Sequence, residues 1–175
     1  DHFWGYQAHG IVPDMLTFAK GVGNGITLAG IVARAEIFDT IKVLNFSTFG
    51  GNPLSAAGGM ATIDYVLEHD LQANARAMGA RFREGLDALA ADSPWMAEVR
   101  GRGLMQAFET VQPDGIEPSP ERAGQMLEAT KAHGLLVGKG GLYGNVIRMA
   151  PMLNVTADEI DTGLEALRAA TNDID

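Results

Sequence analysis

The stretch PDMLTFAKGVGNG, residues 13–25, says most about how this 175-residue chain folds. A short, largely apolar run, Met15–Ala19, stands directly before a lysine and three glycines at positions 21, 23 and 25. A short apolar run bounded by turn signals is typical of a buried strand, and closely spaced glycines are typical of a turn. The pattern predicts a strand over Met15–Ala19, a glycine-rich turn over residues 20–25 and a second strand over Ala29–Ala33.

Lys20 stands where the first predicted strand ends. We expect its ammonium group to be partly withdrawn from water, which favours the neutral, nucleophilic amine. A lysine that carries an aldehyde as a Schiff base needs this condition, and the glycines after it allow the backbone to pass close to a bulky ligand. The competing hypothesis is a solvated turn lysine, which local physics favours because most lysines are exposed.

The same glycines also suggest a dinucleotide-binding loop. That motif requires the pattern G-x-G-x-x-G after a strand and at the start of a helix. Ile26 stands where the third glycine belongs, and a strand rather than a helix is predicted next. The nicotinamide hypothesis is therefore the weaker one.

Helices dominate the middle of the chain. A short helix is expected over residues 35–41, followed by a second glycine-bearing loop at residues 46–52. Asn52 is a good N-cap and Pro53 suits the first helical position, so a helix is expected to run to about His69. Another begins near Asp70, because apolar residues recur at steps of three and four. These are Leu71, Ala75, Met78, Phe82, Leu86 and Leu89.

The segment after Pro94 has the pattern β-β-α-β-β-α, which indicates a small α+β domain. A helix is expected from Ser119 to Gly134, and a last helix to about Asn172 begins at a capping box formed by Thr156 and Glu159. The pattern predicts strands over residues 96–100, 104–109, 135–138 and 145–150, a turn at 100–103 and a loop at 111–118.

Composition excludes several classes of function. The net charge of −9, without a cluster of lysines or arginines, argues against nucleic-acid binding. Cysteine is absent, and the four histidines are not at metal-ligand spacing, so no metal site is expected. No run approaches the roughly 20 apolar residues of a membrane helix. With no signal peptide visible, a cytoplasmic location is expected.

Residues 13–25 resemble the Schiff-base lysine motif of class III aminotransferases, which use pyridoxal 5'-phosphate. Four further segments resemble that family in the same order, namely FWG at 3–5, TFGGNP at 48–53, RGRGLM at 100–105 and IRMAP at 147–151. Within the family, HFWG at 2–5, TFGGNP and GLLVGKGG at 134–141 are most similar to alanine–glyoxylate-type members, with 4-aminobutyrate-type members next.

The resemblance implies an α/β fold, the C-terminal part of a fold-type-I transferase. It divides the chain into the end of the large cofactor-binding domain at 1–69, a linking helix at 70–92 and the small α+β domain at 93–175. It implies transamination from alanine or an ω-amino acid to a 2-oxo acid such as glyoxylate, pyruvate or 2-oxoglutarate, in a homodimer.

The resemblance also gives roles to individual residues. Lys20 would hold the cofactor as a Schiff base and move the proton during catalysis. Thr48, with backbone groups around Gly50, would bind the cofactor phosphate of the neighbouring subunit. Arg148 would bind the substrate carboxylate. The competing hypotheses are a loop contact for Thr48 and a strand-end salt bridge for Arg148.

Other parts of the family's site match nothing in this chain. The resemblance places the aspartate for the pyridine nitrogen and the phosphate cup upstream of it, so the chain by itself is expected to be inactive. The alternative is a non-enzymatic fragment or interaction module derived from an aminotransferase. Arg102 is expected to bridge local carboxylates from a turn.

Overall fold

The computed structural model describes residues 2–113 and 115–174, and it forms two compact units. The first unit is Asp1–Gln72 and the second is Ala73–Asp175. The expected linking helix at 70–92 is a helix, α3 (Leu71–Asp92). From Ala73 onward, however, it belongs to the second unit, and its apolar residues enter that unit's core.

The first unit is built on the two predicted strands, and both are confirmed. β1 (Met15–Ala19) pairs antiparallel with β2 (Ala29–Ala33), with Ala19 opposite Ala29 at the end that leads into the glycine turn. The ring of Phe18 lies over its partner Gly30, where an added Cβ would stand 2.3 Å from Cζ of the ring. Glycine at position 30 therefore leaves room for the Phe18 ring, which any larger residue would displace.

Two helices follow in the first unit. The predicted helix at 35–41 is shorter, α1 (Ala35–Phe38), and ends in a turn in which Ile41 donates to the carbonyl of Phe38. The longer helix, α2 (Pro53–Glu68), begins as predicted. The side chain of Asn52 accepts a hydrogen bond from the backbone N–H of Ser55 at 2.9 Å, which satisfies one of the free donors of the first turn.

The second unit has the predicted β-β-α-β-β-α order after α3. One antiparallel sheet contains its four strands, which are β3 (Met96–Arg102), β4 (Met105–Thr110), β5 (Gly138–Gly140) and β6 (Val146–Met149). Their order across the sheet is β3-β4-β6-β5. The helices α4 (Pro120–Ala132) and α5 (Ala157–Ile174) contact each other, and α4 also contacts β4, β5 and β6.

Two predicted boundaries in this unit are wrong. β3 runs through Arg102, so Arg100 and Arg102 are strand residues opposite Ala107 and Met105 rather than parts of a turn. Residues 135–137 form no strand, because the backbone N–H of Leu135 closes the end of α4 by donating to the carbonyl of Thr130 at 2.9 Å. In both places a backbone contact, Arg102 with Met105 and Leu135 with Thr130, sets the boundary of the element.

The buried hydrophobic cluster of the chain lies within the second unit. It joins the apolar face of α3 to the sheet and to both later helices. Burial of each such side chain contributes about 1.5–3 kcal/mol. The fully buried large members are Leu86, Trp95, Phe108, Met126, Ile147 and Leu167. No helix in the described ranges is long and apolar enough to cross a membrane.

Two polar contacts fix the start of α5. The predicted capping box is confirmed, with the backbone N–H of Thr156 donating to Glu159 Oε2 at 2.8 Å. One turn further, Nε of Arg81 on α3 donates to Asp161 Oδ1 at 2.6 Å. These contacts orient α5 against α3 within the second unit.

A glycine in α3 generates the first prediction. A Cβ at Gly79 would stand 2.3 Å from the backbone carbon of Gly103. Because backbone cannot yield as a side chain does, we expect Gly79→Ala to lower the free energy of unfolding by about 1–3 kcal/mol. Urea unfolding followed by circular dichroism measures this change.

Gly163→Ala is the matched control, because a Cβ at Gly163 in α5 meets nothing within 4 Å. Alanine there should raise the free energy of unfolding by about 0.5–1 kcal/mol through helix propensity. A Gly79→Ala protein as stable as the wild type would contradict the close contact.

The carboxylates of α5 generate the second prediction. The hydrogen bond from Arg81 lowers the pKa of Asp161 below its ordinary 3.8, and the backbone hydrogen bond of Thr156 lowers the pKa of Glu159 below its ordinary 4.5. A lowered folded-state pKa adds stability that is present above the unfolded value and is lost as pH falls through the folded value. We therefore expect the urea midpoint to fall on acidification below about pH 4.5.

The double variant Asp161→Asn, Glu159→Gln removes both titrations, so its urea midpoint should fall less steeply over the same range. The comparison is between slopes, so any loss of stability common to all pH values does not affect it. An equal slope in the two proteins would show that other groups control the acid transition.

Candidate functional site

Lys20 opens a single 3-10 turn, Lys20–Gly23, directly after β1. Its φ is +57°, in the left-handed region that few residues other than glycine adopt. Such a conformation costs about 1–3 kcal/mol and persists only where the surroundings fix it, which is common at functional sites. The pairing of Ala19 with Ala29 fixes the residue before Lys20, so the strand end determines where the lysine stands.

The turn after Lys20 is closed by its own backbone and lies against α2. Asn24 donates to the carbonyl of Gly21 at 3.1 Å, and Ile26 donates to that of Gly23 at 3.0 Å. A Cβ added at Gly59 in α2 would stand 2.3 Å from Leu28 Cδ2 and 3.7 Å from the carbonyl oxygen of Val22. The turn leads into β2 and not into a helix, which excludes the dinucleotide-loop hypothesis.

The amine of Lys20 is accessible. The residue is exposed, so the expected withdrawal from water is not provided by the described residues. Within residues 2–113 and 115–174, Nζ forms no hydrogen bond or ion pair. The sequence pattern placed the lysine at the strand end correctly, but apolar neighbours in sequence did not bury it, because β1 itself is half exposed.

Thr48 and Gly50 lie in an exposed loop between α1 and α2. The hydroxyl of Thr48 has no partner in the described part of the chain, so it is free to donate. The amide of Gly50 is different, because it donates to the carbonyl of Ser47 at 3.1 Å and closes the turn. A role for Gly50 in binding an anion stays a prediction, and in this turn its amide is already paired.

Arg148 lies on β6 in the second unit, between Ala107 of β4 and Gly138 of β5. The side chain is exposed, and none of the described residues forms an ion pair or hydrogen bond with it. The competing hypothesis of a strand-end salt bridge is therefore not supported. An exposed guanidinium flanked by two small residues can bind a planar anion by donating hydrogen bonds to it.

Arg100 and Arg102 stand on the same face of the sheet, as the pairing of β3 with β4 requires. Arg100 contacts Glu98 at 3.1 Å and Glu109 at 2.8 Å, and the other oxygen of Glu109 is 3.3 Å from Nδ2 of Asn145. Arg102 forms no ion pair with a described residue, so the expectation that it bridges carboxylates is wrong. Arg100 does so instead, because the register places it beside Glu109.

Other features of the site carry no local sequence signal. The rings of Phe3, Trp4 and Phe18 pack beside the end of β1, with centroids 5.0 Å and 5.9 Å apart in successive pairs. Glu98, which contacts Arg100, also has a positive φ, of +38°. No group of metal-binding side chains occurs in the described ranges.

Membership of one protein family explains why these residues occur together in one chain. The model of the class-III aminotransferase family matches residues 2–171, and the chain belongs to this family. It is 37% identical over 174 residues to human mitochondrial alanine–glyoxylate aminotransferase 2, covering 97% of this chain and 34% of the relative. It is also 37% identical over 167 residues to acetylornithine aminotransferase of Bifidobacterium longum, covering 94% and 36%.

Solved structures agree with the family. A phospholyase from Arthrobacter, solved with phosphoethanolamine, is 32% identical with a TM-score of 0.91, over 97% of this chain and 41% of the other. The predicted fold class, α/β with the arrangement of the C-terminal part of a fold-type-I transferase, is confirmed. The chain spans about a third of the length of the curated relatives it matches.

Proposed function

We propose that the protein carrying this chain is a pyridoxal 5'-phosphate-dependent aminotransferase and that Lys20 is the lysine that holds the cofactor. The observation that carries the proposal is the strained backbone of Lys20, with φ of +57°, at a strand end inside the region matched by the family. The proposed reaction moves an amino group from alanine or an ω-amino acid to a 2-oxo acid such as glyoxylate, pyruvate or 2-oxoglutarate.

The residues of the chain fit such a cofactor in their donor chemistry. Lys20 offers an exposed primary amine without a partner among the described residues, which suits an aldehyde. When bound, the cofactor supplies an electron sink for negative charge at the substrate α-carbon. Nζ of Lys20 would hold the aldehyde of the cofactor, and the same amine would accept the proton from that carbon.

Thr48 is proposed to bind the cofactor phosphate in a homodimer, through its exposed hydroxyl. A phosphate oxygen is a strong acceptor, so a free hydroxyl in a glycine-bearing loop is a suitable donor. Gly50 contributes its amide only if the turn to Ser47 opens, because that amide is already paired. Thr48 is therefore the stronger of the two proposed phosphate contacts.

Arg148 is proposed to bind the carboxylate of the substrate. Its guanidinium presents parallel N–H groups that match the two carboxylate oxygens. The charge is not neutralised by any described carboxylate, in contrast to Arg100, which has two. The amino donor and the 2-oxo acceptor both have such a carboxylate, so one residue serves both halves of the reaction.

A non-enzymatic module is the second candidate. The observation in its favour is that the second unit contains the whole buried cluster of the chain and pairs its own four strands. Borohydride trapping and initial-rate kinetics separate the two candidates. The cytoplasmic location stays a prediction, since two relatives are named as mitochondrial proteins.

Covalent trapping at Lys20 is the third prediction. Borohydride reduction of the complete protein with pyridoxal 5'-phosphate should attach the label to Lys20, and Lys20→Ala should lose both the label and turnover, by about 10²-fold or more. Peptide mass spectrometry identifies the labelled residue. Lys42→Ala is the matched control, an exposed lysine of the same unit that should keep both.

Label spread equally over Lys20, Lys42 and the remaining lysines would favour the non-enzymatic candidate. Initial rates of the same protein test the reaction itself. Transamination in two half-reactions gives parallel lines in double-reciprocal plots of the initial rate, when one substrate is varied at fixed concentrations of the other. Intersecting lines would contradict the proposed function.

The fourth prediction concerns Arg148. Loss of its charge-assisted hydrogen bonds should raise KM for both carboxylate substrates by about tenfold or more in Arg148→Ala, with partial retention in Arg148→Lys. Arg102→Ala is the matched control, an unpaired arginine on the same face of the same sheet. Equal rises in the two alanine variants would indicate a general effect of positive charge rather than a specific contact.

A further inference from the structure

Arg148 is part of a row of residues that crosses the sheet of the second unit. The register aligns Arg100 of β3, Ala107 of β4, Arg148 of β6 and Gly138 of β5. Directly opposed residues of antiparallel strands present their side chains on one face, with Cβ atoms about 4.5–5.5 Å apart. The two immediate neighbours of Arg148 in this row are therefore a methyl group and a hydrogen atom.

Gly138 lies directly beside the Arg148 side chain. A Cβ built at Gly138 would stand 3.5 Å from Nε and 3.8 Å from Cγ of Arg148. Arg148 thus extends along the space that a side chain at position 138 would occupy. A methyl group there makes an ordinary contact, whereas a branched side chain adds atoms about 1.5 Å further out and meets the guanidinium.

The backbone gives no reason for glycine at this position. Gly138 is not among the residues with positive φ, and its Cβ position is no closer than 3.4 Å to any backbone atom. Glycine in a strand is otherwise unfavourable, because it packs nothing and loses more chain entropy than other residues. β-branched residues are the ones that strands prefer.

We propose that Gly138 is a positioning residue that sets the direction of the Arg148 guanidinium, and through it the seat of the substrate carboxylate. The inference rests on the proposed role of Arg148. Because Gly138 has no side chain, the arginine side chain can lie over β5 at this position. Ala107 limits the other side, and beyond it Arg100 is already occupied by Glu98 and Glu109.

Valine at position 138 is the informative substitution. It should suit the edge strand β5 at least as well as glycine, so the sheet should form, while its branch moves Arg148 away from its observed direction. We expect Gly138→Val to raise KM for the amino acid and the 2-oxo acid by about tenfold, with kcat changed by less than about threefold. Gly138→Ala should stay within about twofold of the wild type, because a methyl group fits.

Gly140→Val is the matched control. Gly140 is on the same strand and the same face, two residues away, and a Cβ there meets nothing within 4 Å. Gly140→Val should therefore leave KM unchanged. The variants are compared in the complete protein, with the urea midpoint of each recorded; if Gly138→Val does not fold, Gly138→Thr carries the same branch with a polar end.

A double-variant cycle with Arg148→Ala separates the possible outcomes. If Gly138 acts through Arg148, Gly138→Val has no further effect on KM once Arg148 is alanine. Wild-type KM in Gly138→Val, while Arg148→Ala is impaired, overturns the inference and leaves the proposed function intact. An unchanged KM in Arg148→Ala itself overturns the role of Arg148, and equal rises in Gly138→Val and Gly140→Val overturn the positioning role alone.

Discussion

The second unit depends on the close approach of helix α3 to the hairpin between β3 and β4. A Cβ at Gly79 would stand 2.3 Å from the backbone carbonyl carbon of Gly103. The helix and the hairpin therefore pack backbone against backbone. This contact places the end of β3 beside α3. The strands β4, β6 and β5 then pair one after another across the sheet, starting from β3. The pairing of β6 with β4 and β5 places Arg148 on the exposed face of this sheet.

The two units differ in how many of their large apolar side chains are buried. In the second unit the core joins α3, the sheet, α4 and α5, with many side chains fully buried. In the first unit many large apolar side chains of the described residues remain exposed, among them Val12, Leu44 and Phe49. Lys20 and Thr48 belong to this first unit, and both are exposed among the described residues.

Charge on the open face of the sheet is distributed unevenly. Arg100 contacts the carboxylates of Glu98 and Glu109, whereas Arg148, two strands away, has small neighbours and no described partner. A neutralised guanidinium attracts an anion only weakly, and an unpaired one attracts it strongly at short range. The positions of the carboxylates thus distinguish Arg100, which is paired, from Arg148, which is not.

The sequence by itself determined the features that depend on neighbouring residues. The strands around Lys20, the N-cap at Asn52, the capping box at Thr156 and the β-β-α-β-β-α order follow from local periodicity and side-chain chemistry. The ordered family motifs then assigned Lys20, Thr48 and Arg148. Contacts between distant segments were decided only by the tertiary structure, because strand register is set by packing and not by local pattern.

Register explains why Arg100, and not Arg102, pairs with Glu109, and why Gly138 borders Arg148 although ten residues separate them in sequence. Solvent exposure is decided in the same way. Apolar neighbours along the chain predicted a withdrawn Lys20, but a two-stranded sheet buries little, so the lysine stays exposed. The residue types and their order came from the sequence, and their neighbours across the sheet came from the fold.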